Sequence, residues 1–213
     1  MRLDQLLSPF GVALSPRQAS SLLVYLDLLM RWNQRINLTA IRSIEECVTR
    51  HFGESFFLAS CLSLRGRLLD VGSGAGFPGL ALKIVAPDLA VTLLEPVTKK
   101  RAFLKEVARA CGFDQVEVRG ERLRDFLVLL PSARFDLVTA RAVGRLEELA
   151  KDSARCLAPG GRLCLWLAER QAAALIRQHL CFALDLRVDL PLARERQILI
   201  WSLTPRKSLA YSP

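Results

Sequence analysis

The chain has 213 residues, of which 51% are hydrophobic and 24% charged, with a formal net charge of +9 at pH 7. This length fits one domain with a small appendage. No apolar run reaches the roughly 18 residues of a membrane span, and the first residues lack a signal-peptide core, so a cytoplasmic location is expected. A basic surface attracts polyanions, which makes nucleic acid the first candidate partner.

The number and spacing of the cysteines and histidines argue against metal sites and disulfides. Six cysteines are present, and none forms a Cys-x-x-Cys pair. Cysteines in apolar surroundings fit reduced thiols in a core better than disulfides or zinc ligands. The chain has only two histidines, so we expect no metal site.

The N-terminal part, residues 1–64, carries helix signals and no strand signal. Ser15 followed by proline is typical of a helix start, and apolar residues follow at helical spacing. Ser43 and Glu46 form a capping box that opens another helix, expected to run to about residue 62 with a weak point at Gly53. We therefore predict a helical cap over this part of the chain.

Strand and helix signals alternate through residues 65–205, which we predict to form the main domain. Strands are predicted over 68–71, 90–95, 115–119, 135–140, 162–167, 181–190 and 197–203. Helices are predicted over 77–86, 98–111, 121–129, 146–157 and 169–179, with a turn at 159–161. This alternation indicates an α/β fold, a doubly wound and mostly parallel sheet with helices on both faces. Residues 206–213 are expected to be a frayed tail.

A glycine-rich turn follows the first predicted strand, and two interpretations fit it. Asp70 precedes four glycines, Gly72, Gly74, Gly76 and Gly79. The last three satisfy a dinucleotide-binding fingerprint, whereas the acid with the first three satisfies the pattern of S-adenosylmethionine-dependent methyltransferases. The carboxylate favours the second interpretation because it can reach the cationic methionine part of that cofactor, whereas it would repel a pyrophosphate. A purely structural glycine turn is the remaining alternative.

Further cofactor-binding candidates follow the later strands. Glu95 ends the second strand, where an acid can accept hydrogen bonds from ribose hydroxyls, and Pro96 beyond it can pack on an adenine face. Leu123 and Arg124 begin the helix after the third strand, near the expected adenine amino group. Arg141 follows the fourth strand and can hold the cofactor or a phosphate; the alternative is a solvated loop arginine.

The sequence shows no catalytic base. It has no Asn-Pro-Pro-Tyr motif for adenine amino groups, no Pro-Cys pair for pyrimidine C5, and no Ser/His/Asp set. This absence suits guanine N7, which has a free lone pair and no proton to lose. Alignment within about 3–3.5 Å would then supply most of the catalysis, with help from electrostatics. We therefore assign no catalytic residue.

Several short motifs together resemble one bacterial family. They are Trp32-Asn33-x-x-x-Asn37-Leu38-Thr39, Arg50-His51, the Asp70–Gly79 loop with its Phe-Pro-Gly ending, Lys100-Arg101-x-Phe103-Leu104 and Thr139-Ala140-Arg141-Ala142. From about residue 15 to 205 the chain resembles the 16S rRNA guanine-N7 methyltransferases, called RsmG or glucose-inhibited division protein B. The resemblance implies methylation of N7 on a guanine in the decoding region, with S-adenosyl-L-methionine as the cofactor and a Rossmann-like fold.

The resemblance also assigns residues to roles. Gly72, Phe77, Leu123, Arg124 and Arg141 would line the cofactor site. A second group, Asn37, Arg50 and His51, would face the RNA or brace the cap. The partner would be 16S rRNA or the small ribosomal subunit, and a monomer is expected.

The chain departs from the family pattern at three places. Glu54 stands where the family has an aspartate, Arg124 where it commonly has an acid, and Leu167-Ala168 where it tends to have a Lys-Gly pair. The last difference removes a lysine that could touch an RNA phosphate. Two other functions stay open from the sequence: an NAD-dependent oxidoreductase, for which no hydride-transfer residues stand out, and a non-catalytic RNA-binding module of ribosome assembly.

Overall fold

The computed structural model describes residues 2–178 and 181–204. Its strands are β1 (Arg67–Val71), β2 (Ala90–Leu94), β3 (Val116–Arg119), β4 (Phe135–Arg141), β5 (Leu157–Ala168), β6 (Phe182–Asp189) and β7 (Arg196–Leu203). Its α-helices are α1 (Leu3–Leu7), α2 (Pro16–Ile36), α3 (Ile44–Cys47), α4 (Glu54–Phe56), α5 (Leu58–Cys61), α6 (Gly79–Val85), α7 (Thr98–Ala110), α8 (Leu123–Leu129), α9 (Leu146–Cys156) and α10 (Glu169–Ile176).

The strands form one seven-stranded sheet in the order β3-β2-β1-β4-β5-β7-β6. The pairs from β3 through β5 are parallel, and β7 runs antiparallel to both β5 and β6. Parallel strands need crossover helices, whereas β6 and β7 are joined by a short turn that allows an antiparallel pair. The prediction of a doubly wound, mostly parallel sheet is confirmed, and the carboxyl ends of β1, β2 and β4 meet at one edge.

Two apolar cores cover the two faces of the sheet. Successive residues of a strand point to opposite faces, so Leu68 of β1 lies in one core and Leu69 in the other. The first core joins the sheet to the N-terminal helices, α6 and α7, and the second joins it to α8, α9 and α10. The N-terminal helices therefore pack directly beside the residues that follow β1.

The N-terminal helices begin where the sequence predicts but break where it does not. Ser15 caps α2 with the expected capping box, and the side chain of Ser43 accepts a hydrogen bond from Glu46 N. The single helix predicted after Ser43 is instead interrupted by a π-helical turn over Val48–Gly53. A β-carbon at Gly53 would collide with the ring of Phe10, so this position packs closely against the N-terminal segment.

Other boundaries also differ from the predictions. The turn predicted at 159–161 lies inside the long strand β5, as an irregularity where its register with β4 shifts. The helix predicted over 77–86 is shorter, since α6 begins at Gly79 and ends at Val85, and α7 ends at Ala110, one residue before the predicted end. The predicted end of the last helix at 179 and the tail 206–213 fall outside the described residues. Within 2–178 and 181–204, no helix combines the length and apolar character that a membrane span needs.

Candidate functional site

The loop between β1 and α6 adopts a conformation that favours glycine. Gly72, Gly74 and Gly76 have φ angles of 72°, 56° and 89°, a region that side chains rarely adopt. A β-carbon on Gly74 would meet only the Gly72 carbonyl oxygen, at 3.9 Å, so this position faces open space. A β-carbon on Gly76 would instead collide with the Tyr25 hydroxyl. The loop therefore approaches a cleft at Gly74 and packs against α2 at Gly76.

The backbone N–H groups of Gly72, Ser73 and Gly74 in this loop are already hydrogen-bonded. Gly72 N and Ser73 N donate to the Leu94 carbonyl oxygen at 2.9 and 3.0 Å. Gly74 N donates to Glu95 Oε2 at 2.8 Å. A pyrophosphate needs free N–H donors in such a loop, and these three amides do not supply them. The geometry therefore favours a cofactor that packs against the loop without accepting hydrogen bonds from these three amides.

Asp70 is buried beneath the glycine loop and does not line the cleft. Its side chain is fully buried, and Oδ1 accepts a hydrogen bond of 2.7 Å from Thr139 Oγ1 on β4. Gly79 packs so closely on Asp70 that a β-carbon there would collide with the carboxylate. Burial raises the pKa of Asp70 to about 6. The carboxylate thus ties β1 to β4 and seats the start of α6.

Glu95 is the acid that faces the cleft. Oε2 accepts from Gly74 N and Oε1 accepts from Val97 N, each at 2.8 Å. These bonds fix the carboxylate, and only 5% of the residue is exposed. An ionised carboxylate has about four acceptor positions, so two backbone donors leave acceptor capacity for hydroxyl groups.

The cleft has a volume of about 240 Å³ and is lined by Leu38, His51, Gly72, Ser73, Gly74, Ala75, Phe77, Glu95, Lys100, Arg141 and Ala142. The structure therefore brings together five of the predicted cofactor residues, namely Gly72, Gly74, Phe77, Glu95 and Arg141. Asp70 and Gly76 lie behind the wall. Pro96 and Arg124 are exposed and Leu123 is buried, and none of these three lines the cleft.

Tyr25 of α2 clamps the loop, and the sequence analysis missed it. Its hydroxyl donates to the Ala75 carbonyl oxygen at 2.5 Å, and its ring stacks on Phe77 with 5.4 Å between centroids. Burial raises the pKa of the phenol well above its usual value. The available signal was a tyrosine within the apolar stripe of α2, because a buried hydroxyl needs a partner.

A chain of polar contacts connects the cap to the same loop. Asn33 and Thr39 exchange two hydrogen bonds of 2.9 Å between the asparagine amide and the threonine backbone. Thr39 Oγ1 lies 2.7 Å from His51 Nε2, and the imidazole stacks on Phe77 with 4.6 Å between centroids. Burial, reinforced by nearby arginines, lowers the pKa of His51 to about 3. His51 is therefore a neutral brace between cap and loop.

Two of the predicted RNA-facing residues lie away from the centre of the cleft. Asn37 is exposed and ends α2 in a left-handed conformation with φ 47°. Arg50 pairs with Glu46, and its backbone oxygen accepts a 2.8 Å hydrogen bond from Arg141 Nη1. Asn37 thus has a clear role in turning the chain, while Arg50 joins a cluster of charges beside the cleft.

Glu54 is the centre of that cluster. Its carboxylate is 2% exposed and lies 3.0 Å from Arg141 Nη2 and 2.8 Å from Arg196 Nη2. Its backbone oxygen accepts a 2.8 Å hydrogen bond from Trp166 Nε1. Desolvation raises the pKa of Glu54, and the arginines oppose this shift. The sequence marked Glu54 only as a departure from a family pattern, and it did not mark Arg196 at all.

The chain matches the family model described as rRNA small subunit methyltransferase G over residues 18–188. The chain belongs to this family. A relative from Streptococcus gordonii, named ribosomal RNA small subunit methyltransferase G, is 41% identical over 163 residues, which cover 75% of this chain and 69% of the relative. A relative of the same name from Neisseria gonorrhoeae is 34% identical over 94% of this chain and 97% of its own length. The predicted family is confirmed.

Solved structures agree on the fold. The mutant of MtNAS in complex with S-adenosylmethionine superposes with a TM-score of 0.61 at 14% identity, covering 88% of this chain and 76% of that one. At this identity the likeness concerns the fold alone, and it confirms the predicted Rossmann-like methyltransferase architecture. Membership of the methyltransferase G family decides between the two interpretations of the glycine loop, and the dinucleotide interpretation falls away.

Proposed function

We propose that this chain transfers a methyl group from S-adenosylmethionine to N7 of a guanine in the 16S rRNA of the small ribosomal subunit. The observation that carries the proposal is the cleft beside Gly74, which combines a fixed acid, Glu95, with the cations Lys100 and Arg141. The family supplies the methyltransferase activity. A small-subunit rRNA substrate would place the protein in the cytoplasm of a bacterium.

The cleft fits this cofactor. A β-carbon on Gly74 would project into the open space, so the wall here needs glycine. Glu95 would accept hydrogen bonds from the ribose hydroxyls, and Arg141 or Lys100 would pair with the methionine carboxylate. When bound, S-adenosylmethionine supplies an electrophilic methyl group on a cationic sulfur. Glu95 would hold the ribose of the molecule, and the cations would hold its methionine carboxylate.

The lining favours an acceptor atom that has no proton to lose. His51 has a pKa of about 3 and its Nε2 contacts Thr39, so it is a poor base at neutral pH. Glu95 uses both carboxylate oxygens to hold backbone amides, and the other charged groups are cations. Guanine N7 can attack through its lone pair without a base. Positioning within about 3–3.5 Å then suffices for most of the catalysis.

The proposal is tested by mapping methylated guanosines in 16S rRNA. A strain that lacks the gene for this chain should lose one 7-methylguanosine, measured by mass spectrometry of nuclease fragments. The wild-type gene should restore it, and the Gly74→Val variant should not. Unchanged 7-methylguanosine in the deletion strain would contradict the proposal. Loss of a different methylated nucleoside would contradict the N7 assignment while leaving the methyltransferase activity in place.

A further inference from the structure

A second pocket opens on the far side of Arg141 from the cofactor cleft. Its volume is about 280 Å³, and Arg141 and Ala142 line both pockets. Arg50, Glu54 and Arg196 contribute the other charges of its wall. The volume lies near the low end of the roughly 300–1,000 Å³ of small-molecule sites, which suits part of one nucleotide rather than a long segment of RNA.

The charge of this pocket fits an anion. Three guanidinium groups, those of Arg50, Arg141 and Arg196, line the pocket together with the buried carboxylate of Glu54. Arg50 also pairs with Glu46 outside the lining, so three guanidinium groups face two carboxylates and the cluster stays positive. Nε of Arg50 is buried without a hydrogen-bond partner. An unpaired buried N–H is unfavourable unless a ligand accepts from it. Guanidinium groups present donors in a planar fork that matches phosphate oxygens.

The position of the pocket fits the acceptor side of the reaction. Along the carboxyl edge of the sheet, Glu95 follows β2, Arg141 ends β4, and Arg196 begins β7. A cofactor held in the cleft at Glu95 would leave the β5 and β7 side of Arg141 free for the acceptor. The second pocket lies on that side.

Arg196 supplies a cation from the strand next to β5. It lies directly opposite Ala168 in the antiparallel pair of β5 and β7. Ala168 and Leu167 form part of the apolar wall of the pocket. Only one guanidinium nitrogen of Arg196 is needed for the ion pair with Glu54, and an arginine has five N–H donors.

We propose that this pocket binds a phosphate group of the RNA next to the target guanine, with Arg196 and Arg50 as its ligands. This inference rests on the proposed function, since it assigns the acceptor side of the same site. The phosphate would hold the target nucleotide while its base reaches across Arg141 towards the methyl group. Arg141, held by Glu54 and the backbone of Arg50, would separate the two ligands.

The local test uses the indole N–H of Trp166, which borders the pocket and donates to Glu54. In spectra of the full chain with ¹⁵N-labelled tryptophan, guanosine 5′-monophosphate should shift this signal, and guanosine at the same concentration should not. The signal of Trp32, whose indole donates to Glu106 and which does not line this pocket, should stay in place. An equal shift by guanosine would show that the pocket takes the base, and no shift by either compound would also overturn the proposal.

Two variants that each remove one positive charge make the test specific. Arg196→Gln should weaken the response of Trp166 to guanosine 5′-monophosphate at least tenfold, and Arg196→Lys should retain most of it. Arg155→Gln is the matched control, because Arg155 lies in the last turn of α9, lines neither pocket and pairs with Asp152. An unchanged response in Arg196→Gln would overturn the proposal.

A second measurement separates this inference from the proposed function. The affinity for a single-stranded RNA falls as the salt concentration rises. Each lost phosphate contact makes the slope of log affinity against log salt concentration shallower by about 0.7. Arg196→Gln should show that loss, and Arg155→Gln should not. S-adenosylhomocysteine should still raise the melting temperature of Arg196→Gln. If S-adenosylhomocysteine does not raise the melting temperature of the wild-type chain, the proposed function is contradicted. If the melting temperature rises normally but the salt slope of Arg196→Gln is unchanged, only the phosphate site is contradicted.

Discussion

The carboxylate of Glu54 lies 3.0 Å from Arg141 and holds it at the boundary between two pockets. The other oxygen of the same carboxylate lies 2.8 Å from Arg196 in the second pocket. One buried acid therefore orients a cation that faces the cofactor cleft and a cation that faces the acceptor side. We expect a change at Glu54 to affect both.

Removal of the Glu54 charge should destabilise the fold strongly. In Glu54→Gln, two poorly exposed arginines lose their shared counter-charge, and breaking a buried ion pair costs about 3 kcal/mol. Urea denaturation measures this loss. The control is Glu148→Gln, which removes a surface pair with Arg145 and should change the unfolding free energy by less than about 1 kcal/mol. Equal effects of the two substitutions would contradict a buried anchor at Glu54.

Valine at Gly74 should block the cofactor cleft. Gly74→Val places a branched side chain in the open space of the cleft. S-adenosylhomocysteine at a hundredfold excess over its dissociation constant should stabilise the wild-type chain by about 2.7 kcal/mol, and it should not stabilise the variant. Gly112→Val is the matched control, because Gly112 has a similar φ of 63° and open surroundings. Ligand-induced stabilisation that persists in Gly74→Val would show that the cofactor lies elsewhere.

Loss of the Tyr25 hydroxyl should loosen the glycine loop. Tyr25→Phe leaves the buried carbonyl oxygen of Ala75 without its donor, which costs about 1–3 kcal/mol. We expect a lower melting temperature and weaker binding of S-adenosylhomocysteine in calorimetry. Ser21→Ala, which removes a hydroxyl that donates to Arg17 O within the same helix, should change neither. Normal ligand affinity in Tyr25→Phe would make the clamp a purely structural contact.

His51 should make the fold sensitive to acid. Its pKa is about 3 in the folded chain and about 6.5 in an unfolded chain. The unfolded state therefore takes up a proton first as the pH falls below about 6.5, and the folded state loses stability, on the order of 2 kcal/mol by pH 5.

The His51→Gln variant isolates this effect. Asp70 contributes in the opposite direction, because its raised pKa of about 6 makes the folded state take up the proton first. That contribution is present in both chains and cancels in their difference. Urea titrations at pH 7 and pH 5 should show a steeper loss of stability in the wild-type chain. Parallel losses in the two chains would contradict the neutral, buried state of His51.

The parts of the site that depend on local sequence were predictable. The alternation of strands and helices predicts the sheet, and the glycine loop with Glu95 predicts the position of the cleft, because parallel strands bring their carboxyl ends to one edge. Asp70 was predicted to reach the cofactor from the end of β1. Its side chain points into the protein towards Thr139, and a strand-end residue can face either the core or the cleft.

The residues that the sequence did not reveal make contacts over long distances along the chain. Tyr25 reaches the loop from α2, and Arg196 reaches Glu54 from the last strand. Neither contact leaves a periodic or spaced pattern. Pro96, Leu123 and Arg124 were predicted from their position after strands, but a position after a strand does not fix whether a side chain faces the cleft. Gly53, where the π-helical turn ends, packs so closely on the ring of Phe10 that a β-carbon would collide with it, and no local pattern encodes this contact.

The most direct test of the account is the chemical identity of the methylated product. Purified chain is incubated with small ribosomal subunits and S-adenosylmethionine that carries a deuterated methyl group, and the rRNA is digested to nucleosides for mass spectrometry. We expect the label in 7-methylguanosine, and we expect Gly74→Val to abolish it. Label in another nucleoside, such as a ribose-methylated or amino-methylated one, would contradict the account.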